Sequence, residues 1–266
     1  MMKKITLHTL QQLKQQQQPF AVLTAYDATF ASLIEQAGIE VILVGDSLGN
    51  VIQGRETTVP VTMDNICYHL ECVKRGSQKT LIIADMPYMS YATPEQTFHN
   101  AALLMQSGAN MVKVEGGDWL KETIKGLTER GIPVCAHLGL TPQSVDALGG
   151  FKVQGRGEQA AQQLIDDAKS LEAAGASLLV MECVPAELAK KVTKALTIPT
   201  IGIGAGADCD AQVLVLHDML GLNLNFKPKF VKNFMAEANG DVFTALKCYS
   251  EQVKNKTFPS KEHGFD

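Results

Sequence analysis

Short apolar runs recur along the chain at 20–25, 40–46, 80–85, 110–115, 133–138, 177–182, 199–203 and 212–217. They lack the polar alternation of a half-exposed strand. Each therefore predicts a strand buried on both faces, the signature of a parallel sheet. Amphipathic stretches at 28–37, 94–107, 118–130, 158–174 and 185–195 predict helices between most of them. Pro94-Glu95 and Pro185 followed by Glu187 supply first-turn helix chemistry. Three junctions echo one another: Gln36-Ala37-Gly38, Gln106-Ser107-Gly108-Ala109 and Ala173-Ala174-Gly175-Ala176 each end a helix at glycine and feed a strand.

Eight strands joined by helices over about 250 residues predict an α/β fold, a (β/α)8 TIM-type barrel. A doubly wound open sheet fits the same alternation. No Pro/Gly/Ser-rich linker divides residues 1–266, so a single domain is expected. A helical extension (about 1–18) precedes the first strand and a helical segment (about 229–255) follows the last. Residues 47–61 and 139–157 are long Gly-containing loops after strand ends, where substrate loops sit.

Four of the runs end in an acid: Asp46, Asp85, Glu115 and Glu182. Ligands of parallel α/β folds bind at the carboxyl ends of the strands. Four carboxylates thus converge on one rim, and their repulsion must be offset by a divalent cation, a lysine or a shared proton.

Composition narrows the partners. A formal charge of −4 and a pI near 5.9 give no electrostatic case for nucleic acid or an anionic membrane. No apolar stretch approaches the roughly 20 residues of a membrane helix. The polar, Gln-rich start lacks a signal-peptide core, so a cytoplasmic location is expected. The six cysteines form no Cys-x-x-Cys and read as reduced, buried thiols. Alternation turns Cys183 away from the face of Glu182.

The rim residues carry distinct chemistry. Asp46 and Asp85 suit a hard cation such as Mg²⁺, which takes one or two carboxylates plus waters and a chelating substrate, with Glu115 nearby. Helix capping is the alternative for each Asp. Lys113 and Glu115 are two apart and share a strand face. Lys113 reads as a structural ion-pair partner, an ammonium for a substrate carboxylate, or a Schiff-base amine, the last disfavoured by the neighbouring acids. Glu182 lacks a close lysine in sequence. Its apolar neighbours raise a carboxyl pKa and suit a general base, while a metal ligand or helix cap remains open. His137 ends the fifth run and is either a satisfied hydrogen-bonder or part of the same rim. Gly202-Ile203-Gly204-Ala205-Gly206 stands where barrels often cradle phosphate, but it is not a dinucleotide fingerprint. No Walker A sequence or Gly-x-Ser-x-Gly elbow is present. These parts suit enolate formation from a 2-oxo acid, with a metal polarising the ketone and a carboxylate removing the adjacent proton.

The motifs Thr24-Ala25-Tyr26-Asp27, Val44-Gly45-Asp46-Ser47-Leu48-Gly49, Ala84-Asp85-Met86-Pro87, Val112-Lys113-Val114-Glu115-Gly116-Gly117, His137-Leu138-Gly139-Leu140-Thr141-Pro142-Gln143 and Gly149-Gly150-Phe151-Lys152-Val153-Gln154-Gly155-Arg156 resemble, in order and spacing, the ketopantoate hydroxymethyltransferase family. The resemblance runs from about residue 5 to 260 and implies a (β/α)8 barrel, Mg²⁺ dependence and a homodecamer. It implies transfer of a hydroxymethyl group from 5,10-methylenetetrahydrofolate to 3-methyl-2-oxobutanoate through a metal-stabilised enolate, giving 2-dehydropantoate on the route to pantothenate. By motif, it implies Asp46 and Asp85 as metal ligands that also meet the substrate, with Glu115 at or just beyond the first ligands. Ser47 and Lys113 then bind the substrate carboxylate, His137 lies by the substrate, and Glu182 is the base. One position departs from the family pattern: Asp-Gly-Gln is here Asp210-Ala211-Gln212, and Ala disfavours a positive φ in that turn. A Mg²⁺-dependent C–C lyase or mutase of the phosphoenolpyruvate type is the alternative enzyme. A keto-acid-binding pseudoenzyme is the non-catalytic one.

Overall fold

Eight parallel strands pair in chain order and close where the last meets the first: β1 (Phe20–Thr24), β2 (Val41–Val44), β3 (Leu81–Asp85), β4 (Met111–Glu115), β5 (Val134–Gly139), β6 (Leu178–Glu182), β7 (Thr200–Ile203) and β8 (Ala211–Leu214). The computed structural model describes residues 3–223 and 227–266. Residues 1 and 2 of the expected N-terminal extension lie outside them. Closure decides for the (β/α)8 barrel over the open sheet.

Both faces of every strand are buried, and alternation divides them. Val22, Val41, Leu43, Leu81, Ile83, Met111, Cys135, Leu178, Val180, Ile201, Ile203 and Val213 fill the barrel interior. The intervening residues, such as Leu23, Ile42, Ile82, Val112, Ala136, Leu179 and Leu214, pack outward against the helices. Two-sided burial is why the runs carry no polar alternation.

The helices are α1 (Leu7–Gln15), α2 (Ala28–Gln36), α3 (Leu48–Val51), α4 (Met63–Gly76), α5 (Pro94–Ser107), α6 (Lys121–Glu129), α7 (Val145–Leu148), α8 (Glu158–Ala173), α9 (Ala186–Ala195), α10 (Leu216–Met219) and α11 (Val242–Lys254). Helix α1 starts at a Thr6 capping box, inserts Leu10 into the interior cluster, and anchors through Lys14 to Asp210 at 2.7 Å. It thus covers the amino-terminal mouth of the barrel and leaves the carboxyl rim for chemistry. Helix α11 supports the closing seam: the Tyr249 hydroxyl lies 2.9 Å from Val22 O on β1 and 2.8 Å from Gln212 O on β8.

Several boundaries differ from expectation. The eighth strand ends at Leu214 instead of 217, and Leu216 and His217 belong to α10. Of 229–255, only Val242–Lys254 is helical; the preceding stretch is turns and irregular backbone. The two rim loops carry α3 and α7, with a 3₁₀ turn at Pro142–Ser144. Helix α4 lies outside the stretches predicted above, although its buried stripe of Ile66, Leu70 and Val73 has helical spacing. Ala211 opens β8 in extended pairing with Phe20 and Ile201, so the departure from Asp-Gly-Gln asks for no positive φ. The Gly-rich turn is packed by its own chain: a Cβ at Gly204 would meet Phe230 and Phe265, and one at Gly206 would meet Ala186. Among the described residues no helix is long and apolar enough to cross a membrane.

Candidate active site

Along four neighbouring strands, the interior positions change from apolar to ionisable towards the carboxyl rim. On β3 they read Leu81, Ile83, Asp85; on β4 Met111, Lys113, Glu115; on β5 Cys135, His137; on β6 Leu178, Val180, Glu182. The register sets Asp85 beside Lys113 and Glu115 beside His137. Asp46 joins from the turn after β2. Gly45 makes room there, since a Cβ on it would sit 3.0 Å from Ser47 Oγ and 3.5 Å from Asp85 Oδ2.

These groups are buried and bonded to one another. The Asp46 N–H donates to Asp85 Oδ2 at 3.0 Å. Lys113 Nζ lies 2.9 Å from Asp85 Oδ1 and 3.2 Å from Glu115 Oε1. His137 Nδ1 lies 3.0 Å from Glu115 Oε1, and its Nε2 is 3.3 Å from Glu182 Oε2 without hydrogen-bond alignment. Of the offsets for gathered acids, the lysine is directly visible. Helix capping is not what Asp46, Asp85 or Glu182 does: Ser47, Thr93 and Pro185 occupy the relevant cap positions.

The electrostatics follow from burial and pairing. Burial pushes the Asp46 carboxyl well up, and the charges of Asp85 and Glu115 push it further. Burial opposes the charge on Lys113, but Asp85, Glu115 and Asp46 outweigh it and hold the ammonium protonated far above its usual range. Burial raises Glu115, yet Lys113 and His137 bring it down to about 2. His137 is disfavoured as a cation by burial and favoured by Glu115, with the second effect carrying it up to about 9. Glu182 is the most open of the set, its side chain 15% exposed. Its surroundings are less apolar than its sequence neighbours suggest, because His137 faces it. Cys183 follows at a positive φ of 47°, as the chain turns out of β6.

Ser47 Oγ lies 2.8 Å from the Tyr26 hydroxyl. Three further residues here carried no role in the sequence reading: Gln143, Tyr91 and Tyr26. The Gln143 amide donates from Nε2 to Asp46 Oδ2 at 2.8 Å and to Met86 O at 2.9 Å, and its backbone N–H donates to Glu115 Oε2 at 3.2 Å. The Tyr91 hydroxyl donates to Gln143 Oε1 at 2.7 Å. Gln143 stood within a quoted motif, but only the fold of its loop brings it to the acids.

A closed barrel with a lysine, a histidine and four acids at the carboxyl rim of its strands defines a (β/α)8 enzyme. Residues 4–261 match the model of one family, described as ketopantoate hydroxymethyltransferase. The chain is 59% identical over 265 residues to the 3-methyl-2-oxobutanoate hydroxymethyltransferase of Shewanella frigidimarina, covering 100% of each. It is 60% identical over 264 residues to the enzyme of that name from Colwellia psychrerythraea, covering 99% of this chain and 100% of the other. The chain belongs to the ketopantoate hydroxymethyltransferase family and is a hydroxymethyltransferase. Among solved structures, a phosphonopyruvate hydrolase complexed with oxalate and Mg²⁺ matches at TM-score 0.63 and 13% identity, covering 97% of this chain and 93% of that one. A 2,3-dimethylmalate lyase matches at TM-score 0.58 and 17% identity, covering 82% and 83%. At such identities these share the barrel alone, and the phosphoenolpyruvate-type alternative is not favoured.

Proposed function

We propose that this enzyme transfers a hydroxymethyl group from 5,10-methylenetetrahydrofolate to 3-methyl-2-oxobutanoate, forming 2-dehydropantoate on the route to pantothenate. The observation that carries the reading is the division of the rim. Asp46, Asp85, Lys113 and Glu115 form one bonded cluster, while Glu182 stands apart across His137.

The residues fit a magnesium ion. Among the described residues no group of three or more His, Cys, Asp or Glu side chains is arranged to hold a metal by itself. Mg²⁺ needs no such cage, since it takes one or two carboxylates along with waters and substrate oxygens. Asp46 and Asp85 offer hard oxygen donors at a buried rim, and a divalent cation relieves the repulsion that raises Asp46. Both oxygens of Glu115 are engaged by Lys113, His137 and Gln143, which suits a role behind the ligands. When bound, the ion supplies Lewis-acid polarisation of the keto group.

The chain's own groups divide the remaining work. Lys113 donates one N–H to Glu115, pairs by charge with Asp85, and has N–H groups left for the substrate carboxylate, joined by the Ser47 hydroxyl that Tyr26 orients. Glu182 accepts the single proton of the carbon next to the keto group. That carbon then bonds to the one-carbon unit as both carbon–nitrogen bonds to the folate break; water supplies the hydroxyl, and tetrahydrofolate leaves with one proton from the keto acid and one from the water. His137, protonated between Glu115 and Glu182, holds the base in place. A cytoplasmic, homodecameric enzyme is part of the same proposal; the six free cysteines suit a reducing compartment.

The test is consumption of 5,10-methylenetetrahydrofolate with 3-methyl-2-oxobutanoate and Mg²⁺, followed by mass detection of 2-dehydropantoate. Product that depends on both substrates is expected. Absence of turnover, with cleavage of a phosphonate or a 2-alkylmalate instead, overturns the proposal in favour of the lyase or mutase reading.

A further inference from the structure

Hydrogen bonds and one ion pair, Lys113 with Asp85, link the rim groups in a ring that begins and ends on one residue outside the assigned set. Gln143 Nε2 donates to Asp46 Oδ2 at 2.8 Å. The Asp46 N–H donates to Asp85 Oδ2 at 3.0 Å. Asp85 Oδ1 meets Lys113 Nζ at 2.9 Å, and the same Nζ reaches Glu115 Oε1 at 3.2 Å. Glu115 Oε2 accepts the backbone N–H of Gln143 at 3.2 Å, which closes the ring. Every member is buried, Gln143 at 5% exposure.

The amide can sit only one way round. Its Nε2 faces a carboxylate oxygen and the Met86 carbonyl at 2.9 Å, and both can only accept. A flipped amide would set three acceptors against one another. The Tyr91 hydroxyl fixes the other end by donating to Oε1 at 2.7 Å. Tyr91 is itself 7% exposed and lies 3.4 Å from the Glu115 N–H, which can donate to it. Both amide hydrogens and the amide oxygen are therefore used. With Asp46 Oδ2 held by Gln143, Oδ1 is the oxygen left to face the rim.

We propose that Gln143 is a positioning residue for cation binding: it holds Asp46 with one oxygen turned to the site and ties the loop after β5 to the acid cluster. This rests on the reading of Asp46 as a metal ligand. Groups that orient a ligand from behind typically account for ~10–100-fold in metal affinity.

The test is titration with Mn²⁺ alone, followed by loss of the free-ion paramagnetic resonance signal, on wild type, Asp46→Asn, Gln143→Leu and Gln143→Asn. Gln143→Asn keeps an amide but is one methylene too short to reach Asp46, so it reports even if Gln143→Leu does not fold. Each variant is checked by its metal-free melting curve, so that a lost site is separated from a lost fold. The expected result is Mn²⁺ affinity lower by ~10–100-fold in the Gln143 variants, with a cooperative metal-free melt retained. Loss of binding in Asp46→Asn with wild-type affinity in a folded Gln143 variant overturns the inference alone. Unchanged binding in Asp46→Asn overturns the metal reading and the inference with it.

Discussion

Lys113 Nζ lies 2.9 Å from Asp85 Oδ1, and the two residues are register partners on adjacent strands. Both are at least 96% buried at the side chain, so the ammonium is held by charge and geometry together. A Schiff-base lysine must shed its proton to attack a carbonyl. Here Asp85, Glu115 and Asp46 outweigh burial and keep it charged. Incubation with 3-methyl-2-oxobutanoate and borohydride is therefore expected to leave Lys113 unmodified and activity recoverable. A reduced adduct on Lys113, seen by peptide mass, would sink the ammonium role.

Helices α2 and α4 touch through backbone at Gly76. A Cβ there would lie 2.1 Å from Ala28 O, and no flexible side chain is present to give way. Gly76→Ala must push the helices apart, and such overpacking costs ~1–3 kcal/mol. For a chain of this size each kcal/mol moves the melting temperature by roughly 2–4 °C. A drop of several degrees by calorimetry is expected, and an unchanged melting temperature would refute the contact.

The same contact shows what a single sequence does and does not reveal. Gly76 ends a helix whose apolar spacing is periodic, but the close approach to α2 through that glycine leaves no periodic trace of its own. The strands were legible because two-sided burial demands unbroken apolar runs, and the acids at their ends were legible because the rim is where those runs stop. Strand eight was overdrawn for a related reason: Val213-Leu214-Val215-Leu216 is one apolar run, but the chain leaves the sheet within it and starts α10. Gln143 and Tyr91 were illegible as site residues. Their positions depend on how the loops after β5 and β3 fold over the rim, and no spacing rule encodes that. The surroundings of Glu182 were misjudged likewise, since His137 reaches it from the neighbouring strand.

Glu35 on α2 gives a pH-dependent link. Its Oε2 accepts from the N–H groups of Lys79 at 2.6 Å, Gln78 at 2.8 Å and Thr80 at 3.4 Å, and from Ser77 Oγ at 2.9 Å. Burial alone would raise its pKa, but these donors outweigh burial and hold it below the usual range. A depressed carboxyl adds stability above its unfolded pKa of about 4.3 and loses it as pH falls through the folded value. Wild type is thus expected to exceed Glu35→Gln in urea midpoint at pH 7, with the gap closing below about pH 4. A gap that stays constant from pH 7 to pH 3 would show that the ionised form is not what stabilises the loop.

Glu182 carries the sharpest prediction about turnover. The carbon next to the keto group of 3-methyl-2-oxobutanoate has one proton, which must leave before the new bond forms. Asp46, Asp85 and Glu115 are bound into the ring around Lys113, and Lys113 and His137 are cations. Glu182 is the remaining rim carboxylate, and its 15% exposure leaves it open to a substrate. His137 Nε2 lies 3.3 Å from its Oε2, and Glu182→Gln keeps the shape while removing the basic oxygen. Turnover is expected to fall by roughly 10²–10⁴, the usual contribution of a general base. Substrate affinity should change little, because the interaction is made mainly in the transition state. Exchange of that proton with deuterated water, followed by NMR without folate, isolates the step and should fall in parallel. Wild-type exchange in the variant would remove Glu182 from the role. Protonated His137 cannot take its place while Glu115 holds the charge on the ring, so the base would then have to be a water or hydroxide at the rim.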